Sequence, residues 1–171
     1  MQKVILYYRF APISDPEAVR LWQKTLCEKL NLRGRIIISV HGINGTLGGK
    51  IEDLRIYVKE TKAYQPFKDT PFKWSDGQRA DFPKLSIKVR DELVTFGVGS
   101  ELEVNQDGIV GGGKHLKPKQ AHELVSRRGD EVVFFDGRSA HEAAVGRFKN
   151  AVVPLAGSTF KYRPTLLEPC L

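Results

Sequence analysis

The sequence predicts an α+β fold over residues 1–97 and the opening of a separate α/β unit after residue 114. Three observations carry this. Segments of period 2 and period 3.6 follow the order strand, helix, strand, strand, helix, strand as far as residue 89. The glycine run Gly111-Gly112-Gly113 then interrupts any regular element. A new helical pattern after it leads into the continuous apolar run Val132-Val133-Phe134-Phe135, as a strand buried on both faces of a parallel sheet would require.

Residues 3–10 are dense in Val, Ile, Leu and Tyr and read as a buried first strand. Ser14 and Glu17 have capping-box spacing, and Pro16 suits a first helical turn because it lacks the N–H that would go unpaired there. Val19, Trp22, Leu26 and Leu30 recur as one apolar stripe, with Cys27 beside it as a packing residue. Asn31 and Gly34 end that helix. The stretch RGRIIISVHGINGTLGGK, residues 33–50, reads as a strand, a turn over residues 41–45 and a short return strand, because Asn44-Gly45 tolerates the positive φ of tight turns. Ile51, Leu54 and Val58 mark a second amphipathic helix that must stop before Pro66. Residues 66–83 are rich in Pro and aromatics and too punctuated for a long element. Leu85, Ile87 and Val89 alternate with Ser86, Lys88 and Arg90 as in a half-buried strand, and residues 94–96 could add an edge strand. This is the split βαβ order of ferredoxin-like folds.

Residues 98–114 read as a linker. Pro118 opens a helix through Ala121, Leu124 and Val125 that ends at Gly129, with Lys117 a poor N-cap. A short helix at 140–145 and a short strand at 151–153 follow.

At 171 residues, with 41% apolar and 27% charged content, the chain has the composition of a globular protein. No apolar run is long enough to span a bilayer, and MQKVILYYRF lacks a signal peptide's core and cleavage site, so a cytoplasmic location with no membrane partner is expected. Cys27 and Cys170 give neither a disulfide framework nor zinc spacing, and His115, His122 and His141 lack the pairing of a metal site. The formal net charge is +7, and residues 33–90 hold 12 Lys and Arg against 6 Asp and Glu. Such a patch attracts the phosphates of a nucleic acid, although a solvated basic surface gives the same count.

Five stretches together resemble the tRNA uridine hydroxylase family of rhodanese-related proteins. They are GRIIISVHGINGTLGG (34–49), PFKDTPFKWSDG (66–77), FPKLSIKVRDELVTFG (82–97), GGGKHLKPKQAHELV (111–125) and VVFFDGRSAHEAAVGRFKNAVVP (132–154). The resemblance implies a ferredoxin-like (acylphosphatase-like) domain at 1–97, a linker at 98–114 and an incomplete rhodanese-like domain at 115–154. It also implies oxygen-dependent 5-hydroxylation of the wobble uridine of tRNA in the bacterial cytoplasm, with tRNA as partner, molecular oxygen as co-substrate and no cofactor evident.

The family carries its reactive cysteine in a downstream Cys-Thr-Gly-Gly loop, where backbone N–H groups and a helix N-terminus stabilise a thiolate. Residues 155–171 do not match the family, and Cys170 is penultimate. The expectation is a truncated or frame-altered chain that retains the tRNA-handling domain without catalytic residues. The alternatives are a non-catalytic RNA-binding module and, in a full-length form, sulfurtransferase-type rhodanese activity. Acylphosphatase activity would need a phosphate-cradling loop with an arginine after the first strand, and residues 11–14 offer only Arg9 nearby.

The expected RNA contacts are Arg33, Arg35, Lys73, Arg79, Lys88 and Arg90, with Lys114 and His115 at the domain junction. His41 and Asn44 would add polar contacts at the hairpin tip, and Trp74 would stack on an unpaired base. A core position for Trp74 and a turn-capping role for His41 are the competing readings.

Overall fold

The computed structural model describes residues 1–93, 102–111 and 113–153. It separates into two compact units, the first holding residues 1–93 and 102–110, the second residues 111 and 113–153. The edge strand expected at 94–96, the tail at 155–171 and Cys170 lie outside the described residues.

The first unit is built on a five-stranded mixed sheet. Its strands are β1 (Gln2–Phe10), β2 (Arg33–Ser39), β3 (Gly42–Lys50), β4 (Phe72–Ser75) and β5 (Leu85–Val89), in the spatial order β4-β1-β3-β2-β5. All neighbours are antiparallel except β2 and β5. Helices α1 (Pro16–Lys29) and α2 (Ile51–Ala63) pack on one face, where Ile5, Tyr7, Ile36, Ile38, Ile43 and Leu47 meet Val19, Cys27, Leu30, Leu54 and Tyr57. The strand order is the ferredoxin-like one, with β5 added beyond β2.

That arrangement corrects the assignment of the sixth element. The strand that closes the split βαβ pattern beside β1 is β4, inside the Pro- and aromatic-rich stretch, and the alternating segment 85–89 lies on the opposite edge, parallel to β2. Alternation identifies a strand but says nothing of which edge it joins.

The hairpin turn is also displaced. Ser39 pairs with Gly42, so the two-residue turn is Val40-His41, and Asn44 and Gly45 stand within β3 opposite Ile37 and Ile36. Gly42 has φ +140°, and a Cβ there would meet the Arg9 carbonyl oxygen at 2.0 Å. Gly45 is bare for another reason: the Tyr7 ring lies over it, 2.4 Å from where a Cβ would stand.

Helix α1 starts one residue later than the Ser14 box implies. Asp15 is the N-cap, its Oδ1 accepting from the Ala18 N–H at 2.9 Å. Pro16 occupies N1, so the cap falls on the residue before it. The buried stripe includes Gln23, which the apolar pattern omits. Gln23 belongs to a buried polar chain in which Tyr7 and Tyr57 share a hydroxyl hydrogen bond, Tyr57 donates to Gln23 Oε1, and Gln23 Nε2 donates to Thr61 Oγ1 at 3.5 Å. Burial pushes both phenols well above their ordinary pKa. Cys27 is fully buried, and burial pushes its thiol up to about 12, which suits packing and not nucleophilic work.

Within the stretch expected as a linker, β6 (Val104–Asn105) and β7 (Gly108–Ile109) pair as a small hairpin belonging to the first unit, and Arg9 Nη2 donates to the Gln106 carbonyl at 2.8 Å.

The second unit holds α3 (Pro118–Arg128) and α4 (Ala140–Val145), each where the sequence places it. Lys117 offers no side-chain cap, and its own N–H donates instead to Gln120 Oε1 at 2.9 Å. Ser139 and Glu142 form a full capping box on α4. The run 132–135 differs from expectation: Val133 is 71% exposed and Phe135 49%, and the pairing is a single parallel bridge, Phe135 to Val152. A strand buried on both faces needs flanking strands and helices on each side, and among the described residues the face of Val133 and Phe135 is left exposed.

Candidate nucleic-acid interface

The face of the first sheet opposite the helices is where the basic residues gather, and strand register decides which. Because directly paired residues share a face, one row across all five strands reads Lys73, Leu6, Thr46, Arg35, Ser86. The next row reads Tyr8, Asn44, Ile37, Lys88, and at the other end Ser75, Val4, Gly48 and Arg33 align. These rows contain four cations and no carboxylate. Arg33, Arg35, Lys73 and Lys88 form no ion pair among the described residues. Unneutralised cations on one surface are what phosphate binding uses.

The loop 77–82 covers the Val4–Gly48 end of this face, since a Cβ on Gly48 would meet the Phe82 ring at 3.0 Å and the Gln78 carbonyl oxygen at 2.8 Å. Arg79 fastens that loop. Its Nε donates to the Asn31 carbonyl and its backbone N–H to Gln2 Oε1, both at 2.8 Å. Arg79 is therefore a tether between elements. Arg90 continues the β5 edge, its N–H donating to the Ile38 carbonyl at 2.9 Å and its guanidinium to the Val89 carbonyl.

The remaining expected contacts lie elsewhere. Trp74 pairs with Ile5 and so belongs to the helix face, at the β4 edge, where it is half-exposed; it does not join the cations. His41 sits in the turn, where its N–H donates to Ser39 Oγ at 3.0 Å and its carbonyl accepts from the Ala11 N–H at 2.9 Å. Lys114 and His115 are exposed residues of the second unit.

Sequence reasoning missed the aromatic of this face. Residues 3–10 read as a buried strand, yet Tyr8 is 53% exposed, at the end of its row beside Asn44. The signal was present in Tyr7-Tyr8: alternation along a strand sends one tyrosine to each face.

The second unit has its own polar feature. Arg138 forks onto Asp136, Nε to Oδ1 at 2.9 Å and Nη2 to Oδ2 at 2.7 Å, and Nη2 also donates to the Gly146 carbonyl. The guanidinium holds the Asp136 carboxyl down at about 2. This pair borders a 420 Å³ cavity lined also by Phe134, Phe135, Arg147 and Phe148. Among the described residues no cluster of three His, Cys, Asp or Glu could hold a metal ion, and no helix is long and apolar enough to cross a membrane.

A split-βαβ sheet with two helices on one face and a basic face opposite, covered only at its Val4–Gly48 end, is an α+β module of acylphosphatase-like type. The chain belongs to the family described as the UPF0176 acylphosphatase like domain, which matches residues 2–93. The resemblance read from the motifs is met by relatives named tRNA uridine(34) hydroxylase. The protein of that name from Corynebacterium glutamicum is 61% identical over 160 residues, covering 94% of this chain and 51% of the relative. Those from Corynebacterium kroppenstedtii and Rhodococcus erythropolis are 59% and 58% identical, covering 93% and 92% of this chain and 54% and 55% of their own length. The chain thus spans about half the length of the curated relatives it matches.

Proposed function

We propose that this chain is the tRNA-handling portion of a tRNA uridine(34) hydroxylase. The observation that carries the reading is identity of 58–61% with proteins of that name over more than nine-tenths of the chain. The cation-lined sheet face supports it physically, because phosphate neutralisation by Arg33, Arg35, Lys73 and Lys88 supplies the sequence-independent part of tRNA affinity. In this reading residues 1–97 form the acylphosphatase-like domain, residues 115–154 open a rhodanese-like domain, and 98–114 join them. Molecular oxygen is the co-substrate and the cytoplasm the site of action.

Among the described residues the chain offers no activated nucleophile. Cys27 is buried, with its thiol pushed up to about 12. That observation favours tRNA binding, and not chemistry, as the role of these residues. The test joins residues 1–153 to the remaining half of the Corynebacterium glutamicum relative and assays uridine 34 hydroxylation in tRNA by mass spectrometry. Hydroxylation by the joined protein is expected. A folded, tRNA-binding chimera that leaves the uridine unmodified overturns the reading.

A further inference from the structure

We propose that the open sheet face is a platform for single-stranded RNA, on which the Tyr8 ring stacks an unpaired base while Arg35, Lys73 and Lys88 hold the flanking phosphates. This rests on the tRNA-handling reading and deepens it by naming which part of the RNA is held and by what. The argument starts from Tyr8. It stands on β1 one residue past the end of the β4 pairing, is 53% exposed, and has the short Asn44 and the half-buried Ile37 as its neighbours across β3 and β2. Among the described residues its ring partner is Phe10, at 6.3 Å and 76° between planes, and no aromatic stacks parallel on the phenol. Leu6, also exposed, extends the apolar strip along the same strand.

Charge decides between occupants. An exposed aromatic strip alone would suit another protein surface as well. Here it is flanked by Lys73 on one side and by Arg35 and Lys88 on the other, none ion-paired among the described residues and with no carboxylate in either row. Neighbouring strands lie about 4.8 Å apart, so a nucleotide stacked at Tyr8 has Lys73 one strand away on one side, and Arg35 two and Lys88 three strands away on the other. A base stacked on an aromatic ring with its phosphates on lysine and arginine is how proteins hold unpaired RNA. A duplex keeps its bases inside and could use only the cations. Asn44, directly opposite Tyr8, supplies both a donor and an acceptor for the edge of the stacked base.

The experiment measures binding of the full chain to a labelled anticodon stem-loop RNA and to a fully paired RNA of the same length, by fluorescence anisotropy at about 50 mM salt, where phosphate contacts are strong. Tyr8→Ala is expected to weaken stem-loop binding roughly tenfold and to leave the paired RNA within about twofold, the loss of one stacked base. Tyr8→Phe is expected to bind like wild type. Tyr8→Leu keeps strand propensity and bulk without a π-face; it should behave as Tyr8→Ala and guards against misfolding of the alanine variant. Lys88→Ala should weaken both RNAs and lower the salt slope by about one.

Three results overturn the platform while leaving tRNA handling intact: undiminished stem-loop binding by folded Tyr8→Ala and Tyr8→Leu, equal losses on loop and paired RNA, or equal affinity of wild type for both RNAs. Displacement of the stem-loop by a poly-glutamate peptide whose own binding falls with Tyr8→Ala would assign the face to an acidic protein and overturn it too. No binding of any RNA at low salt overturns both readings.

Discussion

The two units contain helices of similar quality and differ in what those helices find to pack against. In the first, α1 and α2 close over a sheet whose central strands contribute Ile5, Ile36, Ile38, Ile43 and Leu47, all fully buried. In the second, α4 has a complete capping box and α3 a Gly129 C-cap, yet Val133, Val145 and Phe148 are each more than two-thirds exposed. A groove of 930 Å³ runs between α3 residues such as Ala121 and Val125 and the apolar Val132, Phe134 and Val152. Local signals set both sets of helices; only the first unit adds the burial that makes helices cooperative. The comparison teaches that capping and periodicity locate an element, while the stability of that element belongs to its partners.

Hydrogen exchange tests this contrast at its largest. Amides of Ile36 and Ile43 are expected to exchange only through global opening, a protection of about 5 kcal/mol or several thousandfold. Amides of Val133 and Phe135 should exchange close to free-peptide rates. Equal protection in 132–135 and 85–89 would break the comparison.

Core deletions sharpen it. Phe67 is fully buried and packs edge-on against Tyr64, so Phe67→Ala should cost the first unit about 3–5 kcal/mol in chemical denaturation. Phe148, 69% exposed, stacks on Phe134 at 4.6 Å, and Phe148→Ala should leave the first unit's unfolding midpoint unchanged within about 0.5 kcal/mol. A comparable loss from both substitutions would mean that the units unfold as one.

A substitution at the misread turn has an intermediate effect. Gly45→Ala places a methyl into the Tyr7 ring and should destabilise the first unit by about 1–3 kcal/mol, because Tyr7 is held by Tyr57 and Phe72 and has little room to move. Val40→Gly, in the actual turn, should change stability by no more than about 1 kcal/mol. If Gly45 were a turn residue the ranking would reverse; urea melts of the two variants decide.

Tyr7 and Gly45 also show how far the sequence could be read. Elements with a strong local signal were legible: the α1 stripe from Val19 to Leu30, the alternation at 85–89, and the short helix at 140–145. What was not legible depends on contacts across the chain. Gly45 accommodates a ring from β1, 38 positions earlier, and Asn-Gly looks the same in a turn or under a tyrosine. Strand β4 is four residues long and joins β1 across the whole domain, so nothing local marks its edge. Gln23 is polar yet buried because Tyr57 and Thr61 of α2 satisfy it. For the site, the cations Arg35, Lys73 and Lys88 could be named from composition, but their grouping on one face, the exclusion of Trp74 from it and the presence of Tyr8 follow from register alone.

The smallest expected effect probes the forked Arg138–Asp136 pair of the second unit. Asp136 receives both arms of Arg138, and its carboxyl is held near 2, below the usual carboxylate value of about 3.9. A carboxyl depressed in the folded state contributes stability above its unfolded pKa and loses it as pH falls through the folded value, so the contribution of this pair should fade between about pH 4 and pH 2. A carbon-13 carboxyl titration followed by NMR should place the Asp136 midpoint near 2 in the intact chain and return it toward the ordinary value in Arg138→Gln. The Arg138 side of the pair is half-exposed, and solvent screening there keeps the stability change small. The titration still discriminates: an ordinary Asp136 midpoint in the unsubstituted chain would mean that the turn at 136–138 is unformed in solution.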